Sequence, residues 1–210
     1  PLEIKKTKLG LNKLNLRNLI ITSIPFFLAL INMQSMYHID RISIKYVLDF
    51  AQLGYFSAYS NFINILRIGA FTIPFVMITR SSRQDYNIYK SIKKLVILLS
   101  PLALIIGLLS PFIVPFLFGA EFVLVNQTLI WSIVTASSLL VIYSLINSIY
   151  LGKGHGKQIN IILTIDAILS VIINLILNII LISKMGLVGA PIATSIVLII
   201  KIILNLIGLK

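Results

Sequence analysis

Gly186-Leu187-Val188-Gly189-Ala190-Pro191-Ile192-Ala193-Thr194 opens the last apolar run of the chain, Leu187–Leu209. It follows another run, Ile159–Ser183, across the short turn Lys184-Met185-Gly186. Each run exceeds the roughly 20 residues that a helix needs to cross a bilayer core. With so little chain between them, the two helices are expected to fold back as an antiparallel hairpin. The small residues at the start of the second helix allow close backbone approach, which matters in lipid because packing replaces the hydrophobic effect there. Pro191 falls about one turn inside that helix, where a missing N–H is least costly.

Working outward, the rest of the chain repeats this pattern. Of its 210 residues 58% are hydrophobic and 11% charged, against about 25% charged in a soluble domain. This composition predicts an integral membrane protein of all-α class. Six runs are long enough to span: Leu19–Asp40, Leu53–Thr79, Leu95–Phe118, Asn126–Leu151, Ile159–Ser183 and Leu187–Leu209. Residues 1–18 read as a basic interfacial segment or linker and residues 19–210 as a six-helix transmembrane lobe. The chain begins at Pro1 and carries no signal-peptide pattern, so it is expected to be part of a longer protein. Pro101, Gly107, Pro111 and Pro115 predict a bend in the third run.

The net charge of +12 would suggest nucleic acid on a soluble protein. Here the basic residues fall between the apolar runs. Six spans place 13 Lys and Arg on one side and 3 on the other, with Arg67 and Lys201 inside spans. That bias predicts both termini in the cytoplasm, attraction to anionic membrane lipids and no nucleic-acid partner. Cys is absent, which removes disulfides and thiolate chemistry. No catalytic constellation, metal-ligand spacing or cofactor motif is present, so neither enzyme activity nor a cofactor is expected. The glycine-rich turn Gly152-Lys153-Gly154-His155-Gly156 is not a nucleotide-binding fingerprint.

Polar residues inside the runs are the functional candidates, because intramembrane charges are costly. At 100° per residue, Ser57, Ser60, Asn61, Asn64 and Arg67 share an arc of about 120°. Asn160, Thr164, Ser170, Asn174 and Asn178 do the same, with Asp166 on the flank. Thr194, Lys201 and Asn205 form a narrow stripe on the last run. Arg67, Asn61, Asn64, Asn174, Asn178 and Lys201 are therefore the candidate substrate-binding residues, and Asp166 the candidate ion-coupling residue. For Arg67 a packing role paired to a carbonyl or carboxylate stays open, and Lys201 could instead reach the headgroups. His38 and Asp40, at the outer end of the first run, are expected to form an interfacial hydrogen bond. The fourth run carries polar residues on two sides, Ser132, Tyr143 and Asn147 on one and Ser137, Ser144 and Ser148 on another, which leaves its orientation open.

Four stretches taken in order resemble the polysaccharide (O-antigen and teichoic acid) flippases of the multidrug/oligosaccharidyl-lipid/polysaccharide exporter superfamily. They are Ile39-Asp40-Arg41 with Leu53-Gly54-Tyr55-Phe56-Ser57-Ala58-Tyr59; Phe118-Gly119-Ala120-Glu121-Phe122; the Gly152–Gly156 turn; and Gly186–Thr194. Pro191 departs from the pattern, standing where the family has a second Ala. The resemblance implies an exporter-type fold of two six-helix lobes, of which this chain is the second, with the N-terminal lobe as its partner. It also implies alternating access driven by proton or sodium flux. The substrate would be a polyprenyl-pyrophosphate-linked oligosaccharide, moved across the cytoplasmic membrane. A multidrug exporter of the same superfamily, or a non-transporting scaffold for glycan assembly, are the alternatives.

Overall fold

The computed structural model describes residues 23, 27, 31, 34–36, 38–82, 87–123, 126–153 and 157–208, apart from the side chains at 75, 153, 157–166 and 208. The basic segment 1–18, most of the expected first span and the centre of the 152–156 turn lie outside them. Every regular element among the described residues is helical. Helix α1 covers 38–47, preceded by helical residues at several positions from 23 onward. It is followed by α2 (Phe50–Ile63), α3 (Ile68–Ser81), α4 (Ile88–Phe118), α5 (Gln127–Lys153), α6 (Lys157–Met185) and α7 (Gly189–Gly208).

Side-chain oxygens start three of these helices, Asn126 Oδ1 accepting from Thr128 N at 3.0 Å at the head of α5. The Asp49 carboxylate accepts from Gln52 N at 2.7 Å to cap α2, and Asn87 Oδ1 accepts from Lys90 N at 3.1 Å to cap α4. Such caps satisfy amides that the first turn leaves without a partner. Between α2 and α3 the residues Asn64–Arg67 tighten into one 3-10 turn, so the expected second span is a helix with a tighter turn in its middle. Pro101, Pro111 and Pro115 lie within the single helix α4.

Four stretches are long and apolar enough to cross a bilayer: Phe50–Ser81, Ile88–Phe118, Gln127–Gly152 and Ala167–Ile207. The last contains both α6 and α7. Gly186, at φ +62°, reverses the chain between them. Thr194 faces Asn174 while Lys201 bonds Ser170, so partners descend along α6 as they ascend along α7. The expected antiparallel hairpin is therefore present. In contrast α3 and α5 run parallel: Arg67 meets Ser137, Ala70 meets Ser144, and Gly152 lies against Ile78 and Ser81.

Helix α5 is the hub, packed against α3, α4 and α7. Leu129, Ile130, Ile133, Val134, Val141, Ile146 and Ile149 are all buried, and they point in every direction around it. A helix that is apolar all round belongs inside. That answers the orientation left open by the sequence: both polar sides of α5 face protein. Ser144 Oγ donates to Ala70 O at 2.6 Å, which binds α5 to α3. Tyr55 and Tyr59 donate their hydroxyls to the carbonyls of Glu121 and Phe122, at 2.6 and 2.8 Å, and clasp the α4–α5 turn onto α2.

The hairpin turn depends on Gly189. A Cβ there would collide with the Leu181 carbonyl and Ile182 N, whereas one on Gly54 would meet nothing within 4 Å. Gly189→Ala is expected to destabilise the protein by about 1–3 kcal/mol through overpacking. Gly54→Ala is expected to stabilise it by about 0.5–1 kcal/mol through helix propensity. Thermal unfolding in detergent checks both signs.

Candidate functional site

One carboxylate lies deep in the bundle. Asp40 is 3% exposed. Asn178 Nδ2 donates to its Oδ1 at 3.0 Å, and Thr194 Oγ1 approaches both carboxylate oxygens, at 2.8 and 3.0 Å. Asn178 Nδ2 also reaches the carbonyl and the side-chain oxygen of Asn174, at 3.0 and 3.2 Å. Three helices thus meet at one point: α1 supplies the charge, α6 two amides and α7 a hydroxyl. Asn174 and Asn178 are fully buried. The site falls about 10 Å along α6 from Met185, at 1.5 Å per residue. Asp40 is therefore not the interfacial residue that the sequence suggested, because the bundle folds α6 and α7 over it.

Arg67 is buried in the same bundle. It is 7% exposed and its Nε donates to Ser137 Oγ at 3.1 Å. The 3-10 turn accounts for its aim, since about 120° per residue replaces 100° there and rotates Arg67 toward α5. Asn64 is half-buried on the same turn. Asn61 lies outside it, exposed on α2, with its Oδ1 accepting from Arg41 Nη2 at 2.6 Å. The expected polar face of the second span is thus split. Arg67 goes inward to Ser137 on α5, and Asn61 goes to the exposed surface, where the half-buried Arg41 bonds it.

Lys201 occupies a separate layer, seven residues beyond Thr194 on α7 and so about 10 Å deeper. It is 2% exposed, donates to Ser170 Oγ at 3.1 Å and lies 4.7 Å from the centre of the Tyr143 ring. A buried ammonium over an aromatic face gains a cation–π attraction that partly replaces hydration. It does not snorkel to headgroups. The Asp166 side chain lies outside the described residues. The structure therefore brings Asn174 and Asn178 together at Asp40, and holds Arg67, Asn61 and Lys201 through other partners.

The chemistry of the Asp40 cluster follows from its donor set. One negative charge accepts hydrogen bonds from the Thr194 hydroxyl and the Asn178 amide nitrogen, and Asn178 Oδ1 and Asn174 Nδ2 are buried without a hydrogen bond. The carboxylate and the idle Asn178 Oδ1 are the hard-oxygen acceptors available to a proton or a hard cation. No group of three or more His, Cys, Asp or Glu residues that could hold a metal ion exists among the described residues. Sequence reasoning passed over Asp40 because it stood at the end of its run. The polar residues at matching depth in the last two runs, Asn178 and Thr194, were the available signal.

No family model, curated protein or solved structure matches the chain. Its functional reading therefore stands on the site itself.

Asp40→Ala removes the carboxylate that accepts from both Thr194 and Asn178 and leaves them only Asn174 Oδ1 in common, while Asp40→Asn keeps one oxygen. The alanine variant is expected to lose about 1–3 kcal/mol of stability and the asparagine variant less, since stranding buried donors is the larger cost. Chemical unfolding monitored in detergent ranks the two.

Proposed function

We propose that this chain is a six-helix lobe of a membrane exporter, moving an anionic, lipid-linked oligosaccharide by alternating access. The observation that carries the reading is the buried Asp40 carboxylate, held by Asn178 and Thr194 inside a bundle of membrane-length helices that also encloses the Arg67 guanidinium. Charges within a bilayer are retained where they do work on ions or substrates. A pure anchor would need none of them.

Two roles divide between the two polar regions. The Asp40 cluster is the ion-coupling centre, where gain or loss of one positive charge alters how tightly α1, α6 and α7 hold together. The open edge formed by Arg41 and Asn61 faces the second lobe and attracts the pyrophosphate. Arg suits that group, because its planar fork makes charge-assisted hydrogen bonds to phosphate oxygens. Asn64 extends this edge toward Arg67. The second span, in this reading, presents the substrate side while the α6–α7 hairpin holds the coupling ion. The reading includes six crossings, both termini in the cytoplasm, the cytoplasmic membrane as location and a second lobe as partner. The resemblance noted in the sequence supplies the polyprenyl-pyrophosphate carrier.

Purified protein in vesicles tests this with a fluorescent polyprenyl-pyrophosphate disaccharide and a quencher added outside. Arg41→Ala is expected to slow translocation about 10- to 100-fold, the loss of one hydrogen bond to a charged group, with insertion unchanged. Asp40→Asn is expected to remove the dependence of transport on an imposed ion gradient. Wild-type transport by both variants would contradict the proposal.

A further inference from the structure

Away from the polar cluster, α4 and α5 enclose an apolar groove of about 410 Å³ on the outer side of the bundle. Its walls include Leu99, Ser100 and Ala103 from α4 and Trp131, Thr135 and Ser138 from α5. Gly107 sets its upper end. A Cβ there would meet the Trp131 ring at 2.7 Å, so the two helices touch at that level and part below it. The lining runs from Val96 to Leu104 on α4 and from Trp131 to Ile142 on α5, about 12 and 16 Å at 1.5 Å per residue. One leaflet of a bilayer core, half of roughly 30 Å, has the same depth.

The lower end of the groove is basic. Lys93 lies three residues before Val96, and Lys90 and Lys94 flank it, all exposed. At 100° per residue, Tyr89 and Lys93 fall within about 60° of the mean direction of the α4 residues that line the groove. Tyr89 is 65% exposed. A tyrosine and a lysine below an apolar slot match the headgroup level of a membrane, where aromatic and basic residues hold lipid.

We propose that this groove and its basic end form a binding site for an anionic phospholipid. One acyl chain fills the slot beside Trp131, and the phosphate rests against Lys93, with Tyr89 one turn farther out at the headgroup level and Lys90 on the adjoining face. The site is separate from the transport edge and does not require the function proposed above. Three features match one such molecule: the slot has the depth of one leaflet, it opens toward the membrane, and its positive charge stands only a turn below its apolar floor.

Trp131 is the chain's single tryptophan, so its fluorescence reports on the groove directly. The protein is reconstituted into phosphatidylcholine vesicles containing a minority of lipid with bromine at mid-chain, which quenches tryptophan on contact. Brominated phosphatidylglycerol is expected to quench Trp131 as though enriched about fivefold over brominated phosphatidylcholine, the worth of one lysine near an anionic headgroup. The exposed double variant Lys90→Gln/Lys93→Gln is expected to abolish that preference, and Lys45→Gln, elsewhere on the surface, to keep it. Ala103→Leu, which fills the slot, is expected to lower quenching by both lipids. Equal quenching by the two lipids in the unaltered protein would overturn the proposal, as would a preference that survives the double variant. Absence of quenching by either lipid would also overturn it, and would assign the groove to another protein surface such as a second copy of the chain.

Discussion

A carboxylate removed from water must be solvated by protein, and Asp40 draws its solvation from two other helices. Thr194 and Asn178 reach it from α7 and α6. Neither helix contributes a donor by accident of composition. Burying an ionised group without partners costs several kcal/mol or more, so the three helices adopt a relative depth at which the donors arrive. The turn at Gly186, the close approach at Gly189 and the small residues that follow make that depth attainable. The hairpin and the polar cluster are thus one feature seen at two levels.

Polar contacts elsewhere in the bundle follow the same rule with weaker groups. Ser137 receives Arg67, Ser144 bonds the Ala70 carbonyl, and Ser170 receives Lys201. All three lie on helices that are packed rather than lipid-facing at those points. Outward faces are Ile and Leu throughout: Ile172, Ile176, Ile179, Ile199 and Ile203 are exposed on α6 and α7. In lipid these residues meet acyl chains and need no partner, so exposure that would be a liability in water is appropriate here. A charged side chain reaches such a surface at the Arg41–Asn61 pair, where half-buried Arg41 bonds the exposed Asn61. That edge is where the proposed substrate path and second lobe belong.

Much of this was legible from apolar run length alone. The α6–α7 hairpin, the helical class and the inward aim of Asn174, Asn178 and Arg67 follow from period and spacing. The orientation of α5 was not legible, because both of its polar sides face protein and the strip it leaves outward, Trp131 to Ile142, itself carries Thr135 and Ser138. Asp40 was misplaced for a different reason. Distance from the end of a run measures depth only when the neighbouring helices end at the same level, and α6 and α7 extend past it. Asn61 was drawn inward because a uniform 100° wheel ignores the 3-10 turn at Asn64–Arg67. Reach to the headgroups, the other course open to Lys201, is not taken, because the ring of Tyr143 and the hydroxyl of Ser170 hold it within the bundle.

The claim on which the rest depends is that Asp40 and Thr194 act on each other across α1 and α7. A double-mutant cycle measures it, using unfolding free energies of the unaltered protein, Asp40→Asn, Thr194→Val and the combined variant. The account predicts a coupling energy of about 0.5–3 kcal/mol, the range for residues in direct contact. Additive effects, with a coupling within about 0.3 kcal/mol of zero, would mean that the two side chains do not meet and would contradict it.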